Sequence, residues 1–255
     1  MTGATAEGRV RVNGVDLYFE THGEGDPLLL LSGFTGTSQD WKPTLHGWGS
    51  GFQIILPDLR GHGRSGTLEG PFRHDDAAGD LFGLLDYLGI NAFRAVGISC
   101  GGNVLLHMAT KQPRRMRAMV LVSATPYFPG EARSIMRQYA GKLPPQEWER
   151  LRRCHPGGDR QIEALLASTA SFADSYDDLN FTPPYLSRIE APTLIIQGDR
   201  DPLYPVELSL GMARAIPKAS LWIIPDAGHG PVIGGRWAEF VAAASIFLHK
   251  YPEIE

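Results

Sequence analysis

Cysteine is scarce in this 255-residue chain: Cys100 and Cys154 are the only two. Two thiols cannot make a disulfide framework, and no Cys/His spacing suggests a metal site. No metal and no cofactor is therefore expected. No apolar run approaches the length needed to span a bilayer. Residues 1–8 lack the basic-then-apolar layout of a secretory leader. With free thiols and no leader, a cytoplasmic protein is expected. The formal net charge is only -4. Such a balance provides no electrostatic reason to expect nucleic acid or an anionic membrane as a partner. Internal repeats and low-complexity segments are absent, and nothing in the pattern encodes an oligomeric state.

The remaining composition is that of an ordinary globular protein, 43% hydrophobic and 20% charged. The length suits one large domain, alone or with a small insertion. Residues 10–21 hold two alternating runs that meet at Asn13-Gly14, a hairpin signal. Residues 28–31 are four consecutive leucines before Ser32-Gly33, as expected of a strand buried on both faces. A short helix is expected to open at Asp40-Trp41. Further strands are expected at 52–56, 93–96, 116–122, 193–197 and 220–224, with helices at 75–88, 103–111, 206–215 and 236–247. From 127 to about 188 the alternation stops. That stretch reads as helices at 131–141, 145–154 and 161–170, punctuated by Pro and Gly. The expected organisation is a core at 1–125 and 191–255, interrupted by a helical cap at 126–190. Strand–helix alternation implies a mostly parallel sheet of about eight strands with helices on both faces. Reactive residues in such sheets lie at the C-terminal ends of strands.

Gly97-Ile98-Ser99-Cys100-Gly101 sits at such an end, between an apolar strand and a helical segment. This is the Gly-x-Ser-x-Gly nucleophile elbow, which projects the serine from a sharp turn. A glycine-rich turn with a surface serine would read the same way, so Ser99 needs partners. A serine hydroxyl requires a base and a carboxylate to orient that base. Asp199 and Asp201 follow the strand at 193–197, and His229 follows the strand at 220–224. The chain order serine, acid, histidine matches the order described for this motif.

Taken together, these pieces resemble the α/β-hydrolase fold family over essentially the whole chain. The matching segments are Gly33-Phe34-Thr35-Gly36, Pro57-Asp58-Leu59-Arg60-Gly61-His62-Gly63-Arg64-Ser65, the elbow, Gly198-x-x-Asp201 and Gly228-His229. The resemblance implies Ser99 as nucleophile, His229 as base and, from the glycine-to-acid spacing, Asp201 over Asp199. It also implies an oxyanion site made by the backbone N–H groups of Phe34 and Cys100. Ser32 stands where many relatives carry histidine, which leaves the support of the Phe34 loop in question. The elbow geometry favours Ser99 over the neighbouring thiol of Cys100 as the reacting group. His62 resembles the family's structural loop histidine. His22 and His74 read as surface or loop residues, and Asp199 as a solvated turn residue. Arg60 and Arg64 read as parts of a structural loop and not as an anion site. Trp41, Tyr127, Phe128, Met136 and Trp148 are candidates for lining a substrate pocket.

The serine excludes the branches that use an aspartate nucleophile. Carbon–carbon bond hydrolysis is a further alternative, weakened because such enzymes usually carry Asn before the serine and Trp after the histidine, where this chain has Ile98 and Gly230. The expected activity is hydrolysis of a small-molecule ester, thioester or lactone. A cofactor-free perhydrolase uses the same three residues. A ligand-binding receptor or partner-binding protein with slow turnover is the alternative from a different class.

Overall fold

Eight strands make a single sheet in the computed structural model, which describes residues 6–139 and 143–251. The leader reading at residues 1–5 and the end of the helix expected at 131–141 lie outside the described residues. Strands β1 (Ala6–Val12) and β2 (Val15–His22) form an antiparallel hairpin. Asn13 and Gly14 turn it with φ of 44° and 82°, the backbone that a two-residue hairpin turn requires. β2 also pairs antiparallel with β4 (Gly51–Pro57). From there β3 (Gly25–Leu31), β5 (Phe93–Ile98), β6 (Met116–Val122), β7 (Thr193–Gly198) and β8 (Ala219–Ile224) continue in parallel. The order across the sheet is β1-β2-β4-β3-β5-β6-β7-β8. The chain reverses its direction of growth between β3 and β5, so the loops leaving those two strands diverge at a switch point.

The leucine run of β3 divides between the two faces, as a period of two requires. Leu29 and Leu31 join the core on the side of helices α1 (His74–Tyr87) and α2 (Cys100–Lys111). Leu28 and Leu30 join the opposite core with Trp41, Trp48 and Phe240. Burying each such leucine is worth about 1.5–3 kcal/mol. Between β6 and β7 come α3 (Gly130–Tyr139), α4 (Pro145–Cys154), α5 (Gly158–Phe172) and the short α6 (Pro183–Leu186). Helices α7 (Val206–Ala215) and α8 (Trp237–His249) complete the alternation. No helix among the described residues is long and apolar enough to cross a membrane.

Some details depart from expectation. The segment opening near Asp40 is a 3-10 helix, Ser38–Trp48, with Thr37 and Asp40 forming a reciprocal cap. α2 starts at Cys100 and not at Asn103, because Gly101 and Gly102 are helical residues with the sheet against them. The single turn of α6 has too few residues to show a period.

Candidate active site

The loops after β3, β5, β7 and β8 converge at the C-terminal edge of the sheet. Ser99 holds φ 51° and ψ -114° between β5 and α2. Such a backbone costs a non-glycine residue about 1–3 kcal/mol and persists only where its surroundings over-determine it. The flanking glycines provide those surroundings. A Cβ on Gly97 would fall 2.5 Å from the Gly101 carbonyl carbon, and one on Gly101 would fall 2.5 Å from the Leu31 oxygen. Strand and helix therefore approach more closely than any side chain permits.

Ser99 Oγ lies 2.8 Å from His229 Nε2, and His229 Nδ1 lies 2.8 Å from Asp201 Oδ2. The Asp201 side chain is wholly buried, and the His229 side chain is 24% exposed. Besides His229, Asp201 accepts hydrogen bonds from Gln197 Nε2 and from the amides of Leu203 and Tyr204. Burial pushes this carboxyl upward. The His229 contact and the two amides outweigh that and hold it below its ordinary value. An ionised carboxylate only accepts, so His229 Nδ1 carries the proton and Nε2 turns a lone pair toward the serine. Asp199, the other candidate acid, is exposed. It accepts from the Ala227 amide and so ties the turn that precedes His229. On the other side of that histidine, the Gly230 amide donates to Ser123 Oγ.

Gly33 and Phe34 leave β3 beside the elbow; a Cβ on Gly33 would sit 3.7 Å from Ser99 Cβ. Ser32 Oγ donates to the Thr37 carbonyl at 2.7 Å, and Gly36 N closes a turn on Gly33 O. The serine at the position in question thus braces the Phe34 loop by itself. The Phe34 ring packs edge-on against His62, Phe72 and Phe172. Cys100 opens α2, so its N–H belongs to the first turn, where no intrahelical acceptor exists. Its thiol is buried, and burial drives it well above the usual thiol range. That environment opposes the thiolate that a helix N-terminus would otherwise favour.

Ser99 stands where two cavities meet. One, of about 390 Å³, is bounded by Phe34, Asn103, Phe128, Met136, Phe172 and Tyr204, and it reaches up to α3, α4 and α5. The second, of about 700 Å³, is bounded by Asp40, Trp41, Arg150, Ile233 and Trp237. Phe34, Ser99, Leu203 and His229 border both. Of the five pocket candidates, Phe128 and Met136 line the first cavity and Trp41 the second. Tyr127 is 46% exposed and lines neither. Trp148 packs beside Leu151, Ile162 and Leu166, and it too lines neither.

Several residues read as bland in the sequence turn out otherwise. His22 is buried and contacts Glu20 at 3.1 Å. His74 is 1% exposed, lines the first cavity and contacts Asp178 Oδ2 through Nδ1 at 2.7 Å. Tyr204 is buried with its ring edge-on to His229 at 5.2 Å, and burial raises its phenol above the usual range. No local pattern signals these roles; Asp178 and Tyr204 lie in irregular connections. His62 is fully buried with Nδ1 2.9 Å from the Arg60 carbonyl, and burial lowers it to about 3. Arg60 is paired with Asp80 and Asp76, and Arg64 with Glu20, so both cations are spent inside the fold.

The profile of the "Alpha/beta hydrolase family" matches residues 28–244. A 3-oxoadipate enol-lactonase of Acinetobacter baylyi is 30% identical over 233 residues, covering 84% of this chain and 86% of that protein. The human serine hydrolase BPHL is 30% identical over 234 residues, covering 87% and 79%. Among solved structures, a thermophilic esterase from Thermogutta terrifontis superposes with a TM-score of 0.79 at 27% identity, covering 96% of this chain and 99% of that one.

Proposed function

The chain belongs to the alpha/beta hydrolase family, and from that premise we propose that it is a serine hydrolase cleaving a small-molecule carboxylic ester, thioester or lactone. The observation that carries this reading is the unbroken line from Asp201 through His229 to Ser99, with both contacts at 2.8 Å. Similarity to an enol-lactonase and to an esterase supports the substrate class.

His229 takes the hydroxyl proton as Ser99 Oγ attacks the carbonyl carbon, and Asp201 stabilises the resulting imidazolium. The amides of Phe34 and Cys100 face the developing oxyanion and are already held in place by the β3 loop and the start of α2. His229 then protonates the leaving oxygen or sulfur. Water, deprotonated by His229, attacks the acyl-enzyme and returns Ser99 to its hydroxyl form. The two cavities meeting at Ser99 suit this division, one for each side of the scissile bond. The helices α3 to α6 act as a cap that excludes water from the first cavity.

Two measurements test the proposal. Ser99→Ala should lower kcat on a short p-nitrophenyl ester by about 10³-fold or more. A fluorophosphonate probe should add its mass to the peptide that carries Ser99. Near-native turnover by the alanine variant would refute the assignment. A folded protein that takes no adduct would point to a binding role on the same fold.

A further inference from the structure

His74 lines the first cavity and is paired with Asp178 behind it, and the reaction proposed above leaves this second histidine–aspartate pair unused. His74 opens α1, and its Nδ1 contacts Asp178 Oδ2 at 2.7 Å. Asp178 also accepts from the His74 amide at 2.8 Å and the Asp75 amide at 3.1 Å. Its side chain is 2% exposed. Burial pushes this carboxyl up, but its bonds to His74 and Asp75 hold it well below the ordinary value. Asp178 therefore remains an acceptor, and the proton of the contact belongs to His74 Nδ1. The ring nitrogen left for a molecule in the cavity is Nε2. Phe72, Phe128 and Phe172 surround the imidazole at centroid distances of 5.2–5.9 Å and fix its plane.

The rest of the cavity wall narrows what Nε2 can recognise. The wall is mostly apolar, among the described residues it carries no lysine or arginine, and Glu147 lies on it. The Glu147 carboxylate is already ion-paired with Arg150 at 2.6 Å, so among the described residues this wall holds no free cation to receive an anionic group on the substrate. A hydroxyl needs no countercharge. It donates to Nε2 when the imidazole is neutral and accepts from it when the imidazole is protonated, so it suits both forms.

We propose that His74, held by Asp178, is a specificity-determining residue that binds a hydroxyl on the otherwise apolar part of the substrate in this cavity. The preferred substrates are then hydroxyacyl esters, or lactones bearing a free hydroxyl. This rests on the serine-hydrolase reading of Ser99. An apolar wall alone would not discriminate the hydroxyl, whereas a wall with a buried hydrogen-bonding group left unpaired disfavours the analogue that lacks it.

The test compares ethyl hexanoate with ethyl 3-, 5- and 6-hydroxyhexanoate in a proton-release assay, using the intact protein. The wild type should prefer at least one hydroxylated ester by about 10-fold or more in kcat/KM, mainly through KM. His74→Phe should erase that preference, bringing kcat/KM on the hydroxylated esters down to the value for ethyl hexanoate. His74→Gln, which keeps a polar tip, should restore part of it, and it serves as the readout if the phenylalanine variant does not fold. Absence of any preference in the wild type overturns the proposal. So does an equal loss on all four esters in folded variants, which would mark the pair as scaffolding for α1. Should the wild type hydrolyse none of them and take no fluorophosphonate on Ser99, the parent reading fails and this one falls with it. An intact Ser99 adduct without hydroxyl preference removes this inference alone.

Discussion

Asp201→Asn isolates the carboxylate from the rest of the candidate site. The side-chain oxygen facing the Leu203 and Tyr204 amides at 2.8 and 3.1 Å will remain oxygen, because two backbone donors select it. The new NH₂ then replaces Oδ2, which sits 2.8 Å from both Gln197 Nε2 and His229 Nδ1. Gln197 cannot turn over to relieve this. Its Nε2 also donates to the Tyr204 carbonyl, and its Oε1 accepts from Ser209 Oγ. Two N–H groups are thus left facing each other in a buried site, at a cost of about 1–3 kcal/mol in stability. His229 avoids a second clash only by moving its proton to Nε2, where it points at Ser99 Oγ and cannot accept. Loss of the base in this way should lower kcat by about 10⁴-fold, or about 5.5 kcal/mol of transition-state stabilisation. The assay is turnover of p-nitrophenyl acetate together with the rate of fluorophosphonate labelling, with a thermal melt to establish that the variant is folded. Asp199→Asn, in the exposed neighbour, is the control and should stay within about 2-fold. A folded Asp201→Asn protein within 10-fold of wild type would refute the tautomer argument.

Further expected outcomes concern the scaffold and the sulfur. Gly97→Ala should cost at least about 3 kcal/mol in a denaturant melt, since its Cβ would lie 2.5 Å from the Gly101 carbonyl carbon; an unchanged midpoint would contradict the elbow packing. Cys100→Ala should keep turnover within about 3-fold, because the proposed donor is a backbone N–H; a loss comparable to that of Ser99→Ala would instead implicate the thiol. His62 titrates near 3 in the fold against an ordinary value of 6.5. Between those values the unfolded chain binds the extra proton, so this group makes stability fall as pH drops from about 6.5 toward 3, by up to about 1.4 kcal/mol per unit. His62→Asn should make that limb shallower in melts taken across the same range, with His107 and His155, also held low by burial, keeping part of it. Asp201, held low in the fold, contributes stability that is lost only below the ordinary carboxylate value. The two effects therefore separate by pH.

The alternation of buried strands and amphipathic helices was legible in the sequence because each element carries its own period. The leucines of β3, the Asn13-Gly14 turn and the glycines around Ser99 are local signals, readable within a few residues. Ser99, Asp201 and His229 could be nominated in the same way, since each follows a strand and such ends gather at one edge of a parallel sheet. The outward direction of Tyr127, the packing of Trp148 beneath α5 and the seat of Trp41 in the second cavity had no such signature. An aromatic residue in a helical insertion reads the same whether it faces a pocket, a neighbour or water. Asp199 and Asp201 likewise differ in burial only once β7 and β8 are paired. His74 is the clearest instance. Its neighbours in sequence describe an ordinary helix start, and its partner Asp178 lies 104 residues away. By itself, then, the sequence determined a mostly parallel α/β sheet and nominated a short set of candidate site residues at its strand ends, because both are written in local periodicity and turn geometry. Only the tertiary structure decided which polar groups are paired, which aromatics border a cavity and what else faces Ser99. Those depend on long-range packing, which brings together segments that share no local pattern.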